Sequence, residues 1–313
     1  MKQKSKLGKF NVFLAVVLVV VLIVNVVVIV TRAVPVAEET GAATLDSDPI
    51  VIDELTPDTY GGVEFKTLED VAKYYVEAYD YTKSLTAEYK TDDGGTATFY
   101  KLLGDEELKV GDVMIDGSAN AVVNKVVPGL VSSLFSANTY GLVPCYNRNP
   151  DMDNNSEDDT RKNDHDFRTS AVTAEDILAA NVTDNGDGTI TMVIQPKAGQ
   201  MSLRGEDSQG KFFEVLGDIG GTIAQIDMVT FTQGEPEENV IVDYKGGTVT
   251  VKIDTATKEI VEADYHMVAN VSVTHASILV IKDKSASLII TYDNHYPASA
   301  DYLKKTKGLE RIG

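Results

Sequence analysis

The sequence predicts an α+β fold: a twisted, antiparallel sheet covered on one face by helices and preceded by a transmembrane helix. Three observations carry this. Residues 10–30 form an almost unbroken apolar run behind four lysines, a capped amphipathic helix opens the folded part at Thr67, and residues 260–273 alternate apolar and polar side chains. The chain divides accordingly into cytoplasmic lysines and anchor (1–32), a spacer (33–62) and an extracytoplasmic domain (63–313) with an acidic loop at 147–166.

As a helix rising 1.5 Å per residue, the apolar run is roughly 31 Å long, close to the hydrocarbon thickness of a bilayer. Only Asn11 and Asn25 interrupt it. A signal peptide cleaved near Ala33 is the competing reading. The run is longer than the usual apolar core of about 7–15 residues, and Thr31 and Pro35 stand at the −3 positions of Ala33 and Ala37, where cleavage needs small residues. Lys2, Lys4, Lys6 and Lys9 on one side, against Arg32, Glu38 and Glu39 on the other, put the N-terminus in the cytoplasm and the body outside the cell membrane. The membrane is thus the partner of the N-terminal helix.

Composition fits that address. Five of the 28 bases and none of the 48 acids lie in the first 32 residues, so the remainder holds 23 bases and a formal charge of −25. Such a field repels polyanions, which excludes nucleic acid as a general partner. The single cysteine, Cys145, makes no internal disulfide, so a body of about 250 residues must be held by its core. No residue pattern identifies a protein partner.

After the proline- and acid-containing spacer, where only Ile50–Ile52 suggests a short edge strand, Thr67 caps a helix that Asp70 closes in return. Leu68, Val71, Ala72, Tyr75 and Tyr79 fall at helical spacing, within a tyrosine stripe formed by Tyr74, Tyr75, Tyr79 and Tyr81. Leu85–Thr91 and Thr96–Leu103 read as strands around Asp92-Asp93-Gly94-Gly95, and Val110–Ile115 as another. The stretch 119–136 fits neither period and is cut by Pro128-Gly129. Thr173 with Asp176 marks a short helix to Ala180, and Phe212–Ile219 a third. Strands at 182–183 and 189–194 flank Asp184–Gly188, and strands at 239–244 and 248–253 flank Lys245-Gly246-Gly247, so both pairs read as hairpins. Along 260–273, Ala263, Tyr265, Met267, Ala269, Val271 and Val273 share one face, while Glu262, Asp264, His266, Asn270 and Ser272 share the other. Ile278–Ile281 and Leu288–Tyr292 continue the meander.

The helix leading into a meander, the middle section of loops and helices, and the closing module GGTVTVKIDTATKEIVEADYHM together resemble the half-barrel of the lipoprotein-carrier (LolA-like) superfamily. The pattern TAEDILAANVTDNGDGTITMVI followed by that module resembles uncharacterised membrane-anchored proteins of Gram-positive anaerobes. The two resemblances cover roughly residues 64–296. The carrier resemblance implies an apolar cavity between sheet and helices, holding a lipid or another hydrophobic molecule.

Catalytic signatures are sparse. Ser208-Gln209-Gly210-Lys211 matches SxxK without the SDN and KTG elements that complete such a site. His165, His266, His275 and His295 have no metal-binding spacing. Asp151, Asp153 and Asn155 begin like an EF-hand loop, but Ser156 and Lys162 replace its glycine and bidentate glutamate. The sequence therefore nominates no catalytic residue, no metal and no cofactor. It points to a binding module whose candidate ligand residues are Tyr75, Tyr79, Tyr265, Met267 and Val271. The alternatives are a surface adaptor or assembly protein without a cavity, and an envelope hydrolase with an unrecognised site.

Overall fold

The computed structural model describes residues 48–119, 124, 170–203, 205–215, 230–278 and 281–312. The anchor, Cys145, His165, Pro128-Gly129 and the acidic loop lie outside the described residues. Among the described residues, no helix is long and apolar enough to cross a membrane.

In chain order, the strands β1 (Asp58–Tyr60) and β2 (Val63–Phe65) form a small hairpin before helix α1 (Leu68–Ser84). There follow β3 (Thr86–Thr91), β4 (Thr96–Tyr100), β5 (Asp105–Val110), β6 (Met114–Ile115) and β7 (Ser118–Ala119). Next come β8 (Ile177–Asp184), β9 (Thr189–Pro196), β10 (Gly199–Gln200) and the short helix α2 (Ser208–Phe212). The last third holds β11 (Thr230–Phe231), α3 (Pro236–Asn239), β12 (Val240–Tyr244), β13 (Thr248–Asp254), β14 (Ile260–Ile278) and β15 (Ile281–Tyr296). The turn of helix α4 (Ala300–Tyr302) and β16 (Leu309–Arg311) complete it.

The molecule is mainly antiparallel sheet. Its spine is the β14–β15 hairpin, in which residues 263–273 face 296–286 without a break. β13 pairs with β14 along 248–253, then β9 with β13 and β8 with β9; on the other side β5 and β6 pair with β15. The expected hairpin around Asp184–Gly188 forms as β8–β9. The one expected around Lys245-Gly246-Gly247 does not: β12 and β13 both pair with β14, Tyr244 facing Ala269 and Thr248 facing His266. Lys245–Gly247 is therefore an irregularity inside one long strand, with Gly246 at φ +74. Gly247 allows that strand to lie close: a Cβ there would sit 2.8 Å from the His266 carbonyl oxygen.

Helix α1 forms as its sequence predicts. The Thr67 side chain accepts from Asp70 N and the Asp70 carboxylate returns the bond, while Glu69 and Asp70 complement the helix dipole. Its buried face, Val71, Ala72, Tyr75, Ala78, Tyr79 and Thr82, lies on the inner face of the sheet and joins Met192, Ile194, Val249, Val251, Ala263, Tyr265 and Met267 in one core. Thr82 Oγ1 accepts from Ile260 N at 2.7 Å, which ties the end of the helix to the start of β14.

Other expectations need correction. Thr173 and Asp176 do form a capping box, but it opens only a 3₁₀ turn at Ala174–Asp176; from Ile177 the chain is strand, because its backbone pairs with β9. The helix expected from Phe212 instead ends there. Val110–Ile115 splits into β5 and β6; β4 stops at Tyr100, and β3 and β4 form a separate three-stranded sheet with β16. That sheet has its own small core of Tyr89, Leu103, Ala298 and Leu303. Helical cover is thin: among the described residues α1 is the one helix longer than two turns.

Ile50–Ile52 is not a strand. Gln195, on the sheet face opposite Ile194, accepts from Val51 N at 2.9 Å and donates to the Pro49 carbonyl at 2.8 Å, and Asn181 Nδ2 donates to the Asp53 carbonyl. Residues 49–53 thus form a strap across the outer face. The chain then turns the β8 edge, where Gly61 N bonds Asp184 Oδ2, and reaches the inner face through Phe65.

Candidate functional site

The candidate ligand residues converge, but in a filled core. Tyr75, Tyr79 and Met267 are 0% exposed and Tyr265 is 3% exposed. Helix α1 brings Tyr75 over β14, where its hydroxyl meets that of Tyr265 at 2.9 Å. Burial is the main cause that pushes both hydroxyls well above the usual tyrosine range, so the pair remains neutral. Tyr75 stacks on Tyr79 at 5.8 Å between ring centres and meets Phe212 at 5.5 Å. Val271 stands apart from this group. It is half-buried at the edge of the same core, near Leu288, and Val273 is half-buried too. Tyr74 packs edge-on against Phe65 and Tyr81 is exposed, so the tyrosine stripe divides between packing and surface.

Among the described residues, the cleft beside this core is open and about 240 Å³, with Glu54, Leu55, Lys66, Leu68 and Leu178 among its lining. It lies between the β8 edge and the start of α1, and its lining mixes charge with apolar groups.

The SxxK residues lie on α2, where Lys211 Nζ donates to both oxygens of Asp176 at 2.9 Å and Ser208 Oγ donates to the same carboxylate at 3.3 Å. A lysine that activates serine must offer the serine a lone pair. Here both groups donate to Asp176, so the arrangement is an ion pair that joins α2 to the turn before β8.

All three described histidines bond an aspartate across the β14–β15 hairpin: His266 Nδ1 to Asp293 at 2.5 Å, His295 Nδ1 to Asp264 at 2.6 Å and His275 Nδ1 to Asp283 at 2.8 Å. The first two pairs follow from two D-x-H triplets, Asp264-Tyr265-His266 and Asp293-Asn294-His295, laid antiparallel so that each aspartate faces the other's histidine. That signal was present in the sequence and becomes readable once the register is known. Thr232 Oγ1 also donates to Asp283, at 2.8 Å. Hydroxyl and imidazole thus both bond the carboxylate, which is not the hydroxyl–imidazole–carboxylate order of a hydrolase triad. Among the described residues, no group of three or more His, Cys, Asp or Glu converges to hold a metal ion.

Sequence reasoning missed a second, half-buried polar group, on the inner face at the seam of β5 and β15. Tyr302 donates its hydroxyl to Glu106 Oε2 at 3.2 Å, and Glu106 stands directly opposite Asn294. The sequence reading places no strand between Leu103 and Val110, and only the pairing with β15 and the C-terminal turn half-buries Glu106.

No protein-family model, no curated protein and no solved structure matches this chain.

Proposed function

We propose that the protein is a single-pass, membrane-anchored surface adaptor whose extracytoplasmic sheet domain presents its polar outer face to partners and encloses no ligand. The observation behind this reading is the Tyr75–Tyr265 hydroxyl bond, which closes the space between helix and sheet where a carrier would hold acyl chains. The Tyr75, Tyr79, Tyr265 and Met267 side chains are enclosed there, which among the described residues leaves no space between them for a guest. The full chain in detergent, titrated with a fluorescent acyl probe, should show no saturable binding and no rise in melting temperature. In cells, a photo-crosslinking residue at Thr248 on the outer face should give a discrete protein adduct.

A second reading is retained because Val271 and Leu288 leave the far end of the inner face half-buried. A hydrophobic ligand seated there would give saturable probe binding, weakened by Val271→Trp. That result would replace the adaptor reading.

A further inference from the structure

We propose that Glu106 and Asn294 form a proton-linked latch: a protonated Glu106 donates to Asn294 Oδ1 and holds the C-terminal segment 297–311 against the main sheet, and ionisation loosens it. This goes beyond the adaptor reading and does not depend on it. The two residues face each other across β5 and β15, and directly opposite side chains in an antiparallel pair have Cβ atoms about 4.5–5.5 Å apart. Asn294 is 4% exposed, yet among the described residues its Oδ1 has no hydrogen-bond partner. A buried acceptor left unpaired is unfavourable and calls for a donor. Glu106 is the cross-strand neighbour of that acceptor, and a protonated carboxyl supplies a donor there without needing a cavity.

The groups around Glu106 define the balance. Burial raises its proton affinity, while hydrogen bonds from Tyr292 on β15 and Tyr302 on α4, with the charge of Lys307 in the turn after α4, oppose that rise. His295, Asp293, Asp105 and Glu107 alternate with Asn294 and Glu106 along the two strands, which turns them to the opposite face. The protonated carboxyl has an O–H for Asn294 and keeps an oxygen that accepts from Tyr302. The ionised carboxylate has no hydrogen to give, so Asn294 Oδ1 remains unpaired beside a half-buried charge. Tyr302 and Lys307 hold the carboxylate more strongly than the neutral carboxyl, but burial is the larger effect, so ionisation favours a state in which the segment opens and water reaches Glu106 and Asn294.

What Tyr302 holds is specific. Ser299 N bonds Asp105 Oδ1 at 2.9 Å, Ala298 N bonds the Leu103 carbonyl at 2.7 Å, and Leu303 enters the small core with Tyr89. The latch thus lies where the three-stranded sheet is fastened to the large one.

The test uses the full chain in detergent, following hydrogen exchange of amides 298–311, corrected for intrinsic rates, from pH 4.5 to 8. In the native protein, protection of this segment should fall as pH rises, relative to the rest of the sheet. Glu106→Gln carries a permanent amide donor in place of the proton, and its segment should be protected uniformly across the range. Its melting temperature at pH 7.5 should exceed that of the native protein by about 2–4 °C, the shift expected of one added hydrogen bond in a domain of this size. Asn294→Leu should abolish the pH dependence of protection. Uniform protection in the native protein, a Glu106→Gln segment no better protected at pH 7.5, or an unchanged pH dependence in Asn294→Leu would each overturn the latch. Glu106→Gln is nearly isosteric and decides alone if Asn294→Leu does not fold.

Discussion

Met267 and Asn270, three residues apart on β14, mark the two sides of the sheet. Met267 is fully enclosed and Asn270 is half-exposed on the other face. A carboxylate at 267 has no partner and no water, so Met267→Asp should lose about 3–5 kcal/mol, enough to unfold most of the population. Asn270→Asp should change stability by no more than about 0.5 kcal/mol. Urea melts of both variants check this. The tyrosine pair gives a sharper measurement. Tyr75→Phe leaves the Tyr265 hydroxyl buried and unpaired, at about 1–3 kcal/mol, and Tyr265→Phe does the converse. The double variant removes both hydroxyls, and its loss should be smaller than the sum of the two. Strictly additive losses would mean that the hydroxyls do not interact. At this scale the sequence was informative: the faces of β14 followed from alternation alone through Ala269. The alternation weakens at Val271 and Val273 because the helix that covers the inner face does not extend over that end.

Among elements, those with a complete local signal formed as read, and those whose fate depends on a distant partner did not. Helix α1 carries its own cap, its own charge pattern and its own apolar stripe. A glycine pair flanked by two apolar strands has the same local appearance in a hairpin and in an interrupted strand, and only the 19-residue length of β14, long enough to face both β12 and β13, separates the two. Likewise, the Thr173 capping box is satisfied after one turn, and the pairing of Ile177–Asp184 with β9 outweighs helix propagation. The strap at 49–53 was illegible for the same reason: its backbone bonds go to Gln195 and Asn181, more than a hundred residues away. Gln195→Ala removes the two bonds that hold Val51 and Pro49 and should lower stability by about 1–3 kcal/mol. Limited proteolysis should cut the variant between residues 48 and 57 well before the native protein; equal cutting would show that the strap is held by other contacts.

For the whole molecule, pH sums these local effects with opposite signs. Turn and cap hydrogen bonds hold Asp70, Asp93, Asp184, Asp187, Asp254 and Asp283 below the ordinary carboxylate range, with backbone amides, Thr side chains or His275 as the leading donors. Their stabilisation is complete above the unfolded value of about 3.9 and is lost as pH falls through the lowered folded values. Burial raises Asp48, Asp80 and Glu106, whose contribution is complete below about 3.9–4.3 and declines as pH rises through the raised folded values. The melting temperature should therefore peak at mildly acidic pH, near 4–5, and drop steeply below about 3.5. A maximum at or above pH 7 would contradict this balance. The self-repulsion of a strongly acidic body also eases on mild acidification and acts in the same direction. The pairing of β16 with β3 has a kinetic meaning as well. Arg311 reaches the Lys101 carbonyl across 210 residues of chain, so a ribosome working from the N-terminus releases β3 and β4 long before the strand that completes their sheet exists. Through that interval the β3 edge has no native partner, and two strands alone are marginal in water. The last step of maturation is then closure of this distant loop, a slow search in contact-order terms. During it, the Thr86–Thr91 edge is open to pairing with other chains.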